Sequence, residues 1–307
     1  MNDFEVLKIP GKQKNGDYIE IRRICTNDTG LPDIAFIREA NEDCTNLVIH
    51  KRLARKRMAT HMQYEVRRYR AGKLIAIGLF KNNPRAKNEV IAYQMCQIYG
   101  IPCCEAEMAK WKNNTGCISW YDLRIGEDGS KIDSYIEGMG LTTNYLMYKE
   151  QTTGVKDTRD EKDISLILDV VEYAIRDRYS KKGFSEEMIR EHIKRARADV
   201  FAMAIFDRLH GNGDRHNNNW GLKYFGDTGE IRLYSLFDNE DINGEIDLET
   251  FSIDIKRIAN ILRDYSEEAE PVFKRIVDNF VEAMSVMKAK GISIEFNKRS
   301  NEEPEEL

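Results

Sequence analysis

No stretch of the chain approaches the ~18 consecutive apolar residues of a membrane span, so a membrane protein is not expected. The opening Met1-Asn2-Asp3-Phe4-Glu5 has neither the basic n-region nor the apolar h-region of a secretory signal. The expectation that follows is a cytoplasmic protein. Six cysteines, at 25, 44, 96, 103, 104 and 117, nowhere take the C-x-x-C spacing of a metal or redox motif. They read as reduced thiols, with Cys103 and Cys104 expected in a strand just after Pro102. Internal repeats and low-complexity blocks are missing too, which leaves an ordinary globular chain. An excess of positive charge is also lacking: the formal net charge of −5 exerts no global pull toward nucleic acid.

What is present is enough to build on. The 307 residues, 41% of them hydrophobic, can bury a sizeable core. The densest chemistry lies in Gly211-Asn212-Gly213-Asp214-Arg215-His216-Asn217-Asn218-Asn219-Trp220, followed by Leu236-Phe237-Asp238-Asn239. Phosphoryl transfer needs a carboxylate near the acceptor hydroxyl and side-chain oxygens for the magnesium bound to ATP. Asp214 and Asn219 stand in D-x-x-x-x-N spacing. Between Asn219 and Asp238, residues 220–224 and 231–236 read as strands joined by the turn Phe225-Gly226-Asp227-Thr228-Gly229. Such a hairpin carries Asp238 back beside Asn219, where both can ligate one metal. A plain Gly/Asn/Asp turn is the blander account, but a turn requires neither this acid-amide spacing nor a second acid after a hairpin.

The loop Asp214-Arg215-His216-x-x-Asn219, a hairpin and an apolar run ending in Phe237-Asp238 resemble the HipA-like protein kinases of bacteria. The Asp-Arg-His-x-x-Asn loop is also similar to that of the phosphoinositide kinases. The resemblance covers about residues 70–290 and is strongest over 211–239. It implies that Asp214 is the catalytic acid/base, that Asn219 and Asp238 are metal ligands, and that His216 is a structural or phosphate-stabilising member of the catalytic loop. It further implies ATP and Mg2+ as cofactors.

Upstream, 73–81 has a buried-strand pattern ending in Lys81, and 87–99 turns helical until Gly100-Ile101-Pro102 stops it. In kinases a strand lysine holds the ATP phosphates and a helical glutamate orients it. Lys81 with Glu89 fits that pairing, and Lys73, which opens the strand, is the weaker candidate. A strand-end lysine and a surface glutamate remain the plain alternative. No Gly-rich phosphate loop precedes them; Ala71-Gly72 is all there is. Residues 117–123 read as a further strand, either a core strand or the hinge that the resemblance would give to adenine.

The stretch 51–70 holds eight Lys or Arg against one Glu, with Tyr64 and Tyr69 interleaved. Contact with nucleic acid, a solvated helix face and a patch meeting acidic residues of the same chain are its three readings. The last two are preferred because the whole chain is acidic. Helices are expected over 164–179, 186–209, 253–262 and 271–289. Asp207 and Arg208 read as a structural pair before the loop, and His192 and His210 as structural. The acidic run Asn239-Glu240-Asp241 reads as an activation or substrate-side segment, or as a solvated loop.

The expected fold is α+β: a bilobal protein-kinase-like arrangement with a small sheet-containing N-lobe over 61–122 and a mostly helical C-lobe over 123–307. Residues 1–60 carry no recognisable role. The expected function is an ATP/Mg-dependent serine/threonine kinase capable of autophosphorylation, acting on a protein substrate. By resemblance it works in a toxin–antitoxin setting with an antitoxin partner. A lipid or small-molecule kinase, and a non-catalytic nucleotide- or nucleic-acid-binding module using 51–70, are the alternatives.

Overall fold

The computed structural model describes residues 5–7, 18–23, 63–70, 73–111, 114–242 and 265–289. These form an α+β structure with two antiparallel sheets. The larger sheet contains β1 (Glu5–Leu7), β2 (Tyr18–Arg23), β3 (Gln63–Arg70), β4 (Lys73–Lys81), β5 (Ala106–Trp111) and β6 (Asn114–Trp120), in the order β1-β2-β3-β4-β6-β5. The first two strands come from the stretch set apart as 1–60, and β2 pairs along β3 from Tyr18↔Tyr69 to Arg23↔Tyr64.

The last eight of the twenty residues 51–70 are therefore strand rather than helix, since β3 ends the stretch. Arg68 lies on the Trp120 ring, 3.9 Å to the centroid, and pairs with Glu105 and Glu107. This arginine meets acids of its own chain, the third of the readings given above; residues 51–62 lie outside the described residues.

Lys73–Lys81 forms the strand that its apolar run predicts, with Ile77 and Phe80 buried. It packs through Val66, Phe80, Ile118 and Trp120. Strands β4 and β6 pair with Lys81 opposite Cys117. They run so close that a Cβ on Gly116 would sit 2.1 Å from the Lys81 carbonyl oxygen.

Helix α1 (Ala86–Tyr99) follows and ends at Gly100, whose φ of 68° is open to glycine at little cost. Its buried stripe is Ala86, Glu89, Ala92, Cys96 and Tyr99. Small residues let the helix approach the sheet closely, and an acid rides in with them. Pro102 and Cys103 then lie beside Leu236 in one parallel bridge, which replaces the strand expected at Cys103-Cys104. The Leu236 N–H donates to the Pro102 carbonyl, and the Cys104 N–H to the Leu236 carbonyl, both at 2.9 Å.

The second sheet is β7 (Ser134–Glu137), β8 (Gly221–Tyr224) and β9 (Ile231–Leu233). The hairpin β8–β9 matches the expectation from 220–236, with Leu222 opposite Leu233. Around it stand α2 (Gly138–Thr153), α3 (Ile164–Lys181), α4 (Glu186–Leu209) and α5 (Ser266–Ala289). Asp163 caps α3 by accepting the Ser165 N–H, and Ser185 caps α4 by accepting the Met188 N–H. Leu166, Val170, Val171 and Ile175 of α3 share one core with Val200, Phe201, Met203 and Phe206 of α4. Tyr99 joins α1 to this core through Phe206 and Phe280. The helix expected at 253–262 lies outside the described residues.

Candidate active site

Strand β4 delivers Lys81 and the first turn of α1 delivers Glu89, both buried, at 6% and 2% exposure. The Lys81 ammonium donates to Glu89 Oε1 and, at 2.9 Å, to Asp238 Oδ1; Glu240 Oε1 lies 3.2 Å away. Burial by itself pulls a lysine pKa down. Here the charges of Asp238, Glu89 and Glu240 outweigh it and hold Lys81 well above its ordinary value. The sequence-predicted pair of lysine and glutamate is thus in contact, with Asp238 joined to it across 157 positions. Lys73, the weaker candidate, is exposed and faces Glu127 at 3.4 Å.

Helix α4 ends at His210, and Gly211, at a φ of 64°, turns the chain into the loop. Asn212 Oδ1 accepts the Asp214 N–H at 3.1 Å, while Asn212 Nδ2 donates to Asp207 Oδ1 at 2.9 Å. Asn219 donates its amide N–H groups to the Asp214 carbonyl at 2.7 Å and to Asp214 Oδ2 at 3.3 Å. The D-x-x-x-x-N spacing is therefore a closed ring, with buried Asn219 orienting a carboxylate that is half exposed. His216 Nδ1 accepts the Asn218 N–H at 3.2 Å, which leaves the hydrogen on Nε2, 3.6 Å from Asp214 Oδ1.

Arg215, one position along, makes a larger set of contacts, and reading the motif as a string did not single it out. Its guanidinium is buried and forks onto Asp207 at 2.9 and 2.8 Å. One nitrogen donates both to the Asn219 carbonyl at 2.8 Å and to the Phe237 carbonyl at 2.9 Å. Another reaches Asn239 Oδ1 at 2.6 Å. Asp207 therefore pairs with Arg215 rather than with Arg208. The two loops are tied together by one side chain, and Asp238 is left between two held residues. Asp238 itself has a φ of 56°, the one left-handed non-glycine among the described residues. Aspartate tolerates that conformation better than most residues, and here it lies in the turn whose carboxylate meets Lys81.

The acidic run after Asp238 is not a free loop: its acids are paired with side chains of the same chain, although Asp241 stays exposed. Glu240 Oε2 accepts from Asn83 Nδ2 at 2.8 Å, and the Glu240 and Ile242 carbonyls accept from Asn88 Nδ2 at 2.8 and 3.0 Å. Asp241 pairs with Arg85. The segment is docked on the corner between β4 and α1.

Residues 117–123 divide in two. Strand β6 ends at Trp120, and the Asp122 N–H donates to the Tyr234 hydroxyl at 2.7 Å. The Asp122 carboxylate is taken by Lys223 at 3.0 Å and by Ser235 Oγ at 2.6 Å. The two histidines set aside as structural are both shifted down by burial, His210 to about 4. His210 Nε2 lies 3.2 Å from the Tyr99 hydroxyl.

As a donor set, the carboxylate of Asp238 and the side-chain oxygen of Asn219 suit a hard cation such as magnesium. Asn219 turns its nitrogen toward Asp214, so oxygen is the end directed elsewhere. The site combines the buried cation Lys81, the half-exposed Asp214 carboxylate oriented by Asn219, and the Asp238 carboxylate on the turn after β9.

Compared with known proteins, the chain matches no family model and no curated protein. It is similar to the solved structure of CtkA, a proinflammatory kinase of Helicobacter pylori, at 15% identity and a TM-score of 0.41. That match covers 67% of this chain and 63% of the other. It is also similar to HipA in the Shewanella oneidensis HipA, HipB and operator DNA complex, at 12% identity and a TM-score of 0.43, covering 77% of this chain and 59% of that one. The chain thus spans less than two thirds of the length of each, and the chemistry of its site rests on its own residues.

Proposed function

We propose that the chain is an ATP- and magnesium-dependent phosphotransferase that phosphorylates Ser or Thr hydroxyls, built as a bilobal HipA-like kinase. One observation carries this reading: the buried pair Lys81–Glu89 meets the partly exposed Asp238, while Arg215 ties the Asp214–Asn219 loop to the Asp238 turn. A cation for phosphates, a carboxylate for the acceptor and ligands for a metal are the parts such transfer needs.

In this mechanism Asp214 receives the hydrogen bond of the acceptor hydroxyl and takes its proton as the new bond from the acceptor oxygen to the γ-phosphorus forms and the bond from that phosphorus to the β,γ-bridging oxygen breaks, ADP leaving with the electron pair. Asn219 keeps the Asp214 carboxylate turned to the acceptor. Lys81, held by Glu89, neutralises phosphate oxygens, and Asp238 with Asn219 would hold the magnesium, which neutralises charge developing on the phosphates. His216, with its Nε2 hydrogen beside Asp214, lends a donor to the same edge. Autophosphorylation, a cytoplasmic setting and an antitoxin partner belong to the same reading through the HipA-like resemblance of the 211–239 motif.

Intact-mass spectrometry after incubation with magnesium and ATP tests it, on the chain alone and with a Ser/Thr-bearing protein substrate. Phosphate should be added, and Asp214→Ala should slow the addition roughly 10²–10⁴-fold while nucleotide still binds. Asp238→Ala should weaken magnesium-dependent nucleotide binding as well. Undiminished transfer by Asp214→Ala would sink the assignment. Transfer to inositol lipids without transfer to protein would replace the acceptor class.

A further inference from the structure

Lys81 has one more carboxylate around it than a lysine–glutamate pair and a metal-binding aspartate account for. An ammonium carries three N–H donors. Glu89 and Asp238 accept two of them, and Glu240 Oε1 stands 3.2 Å from the same nitrogen. Oxygens of the three acids lie within 4.8 Å of one another, and the lysine side chain is 7% exposed. An incoming anion therefore finds the ammonium enclosed, with an oxygen already at ion-pair distance.

The three acids are not equally able to yield. Glu89 is buried in the first turn of α1. Asp238 follows the Phe237 carbonyl and precedes the Asn239 side chain, both fixed by Arg215. Glu240 has the longest contact to the ammonium and a quarter-exposed side chain. Its other oxygen is on Asn83 Nδ2 at 2.8 Å, a contact that holds the carboxylate against the lysine.

We propose that Glu240 is a built-in competitor for the phosphate seat on Lys81, an autoinhibitory contact that nucleotide phosphates must displace. This rests on the phosphotransferase reading above and adds a regulatory element to that site. The competition is electrostatic and local: one carboxylate oxygen gives way to one phosphate oxygen, and no covalent step is involved. Whatever draws the 239–242 segment away from Asn83, Arg85 and Asn88 would raise nucleotide affinity, because those three side chains hold the competitor in place.

The test is calorimetric titration of the full chain with magnesium–ADP, comparing wild type, Glu240→Gln, Asn83→Ala and Lys81→Met. Glu240→Gln keeps the shape and removes the charge. Its expected effect is about fivefold tighter binding, the scale of losing one partly exposed ion pair. Asn83→Ala leaves the charge but frees its anchor, and a smaller gain is expected, which guards against a Glu240 variant that fails to fold. Unchanged or weaker binding by both variants overturns the proposal, and weaker binding by Glu240→Gln would make Glu240 a metal ligand instead. If wild type binds and Lys81→Met does not, the nucleotide reading stands whatever Glu240 does. If none of the folded proteins binds, that reading falls and the competitor with it.

Discussion

Arg215 is the residue whose conservative replacement tests the architecture of the site most directly. The guanidinium offers five N–H donors in a planar fork. Its acceptors are the two oxygens of Asp207, the carbonyls of Asn219 and Phe237, and Asn239 Oδ1. In Arg215→Lys the charge persists beside Asp207, but a single nitrogen cannot reach Asp207 and both carbonyls together. At least two acceptors then lie buried without a donor. Hydrogen bonds to a charged donor are worth about 1.5–3 kcal/mol each, and an orphaned acceptor costs about 1–3. A loss of about 3 kcal/mol is therefore expected, a large share of a total that is roughly 5–15 kcal/mol for a folded domain.

Two readouts should move together. Urea unfolding should shift its midpoint down with an unchanged slope, because the same surface is exposed. Phosphate transfer should fall about a hundredfold more than stability explains at saturating nucleotide, since a displacement of about 1 Å in a positioned group has that effect. Arg215→Met is the harsher control, leaving Asp207 buried without its counter-ion at a cost of about 3–5 kcal/mol. If Arg215→Lys unfolds at the wild-type urea concentration and transfers phosphate at the wild-type rate, the clamp has no role and the two loops are positioned by something else.

Other consequences are local. Gly116→Ala would place a methyl group 2.1 Å from the Lys81 carbonyl oxygen, so the end of β4 must shift. Nucleotide affinity should drop several-fold alongside a stability loss of about 1–3 kcal/mol, whereas Gly129→Ala, strained by its φ of 83° but with open space around its α-carbon, should cost stability and leave affinity unchanged. His210 has its folded pKa lowered by burial to about 4, below its unfolded value of about 6.5. The unfolded state therefore binds the extra proton first as pH falls from 6.5 toward 4. Stability contributed by the neutral ring is intact above pH 6.5 and declines through that window, by about 2 kcal/mol between pH 7 and 5. Melting curves at those two pH values should show a drop that His210→Gln reduces; an equal drop in both proteins would remove His210 as its source.

How much of this was legible in the sequence depended on where each residue's partners lie. Helices α3 and α4 were readable because their apolar stripes are wide and a capping Asp163 or Ser185 stands at the start. Strand β4 was readable as an apolar run, and the hairpin β8–β9 from two such runs around a Gly/Asp turn. Helix α2 was missed because its buried face is Gly138, Gly140, Leu141, Thr142 and Tyr145, with few of the bulky apolar residues that mark a helix. Strand β7 is four residues long and ends in a buried acid, Glu137. In the site, Asp214, Asn219 and Asp238 were legible as a linear spacing.

Arg215 and Glu240 mark where that legibility stops, and for one physical reason. A charge run reads as solvated because an unpaired charge belongs in water, and the inference holds only while no partner is in reach. Glu240 was within an acidic loop by composition, yet Asn83, a partner of its carboxylate, is 157 positions away, and so is Lys81 from Asp238. Arg215 was a letter inside a motif, yet its acceptors come from the end of α4, from the loop it sits in and from beyond the hairpin. Arg215 buries its charge and Glu240 keeps a quarter of its side chain exposed, and both find partners that only the folded chain supplies. Buried charge needs both partners in place, so these contacts are cooperative with folding in a way the Asp214–Asn219 ring is not. The ring closes within six consecutive residues and can form before the rest of the site. The Lys81 cluster cannot, because it needs β4, α1 and the turn after β9 together. Partial unfolding should therefore lose the phosphate seat while the Asp214 loop keeps its shape, and nucleotide binding should fail before the local geometry around Asp214 does.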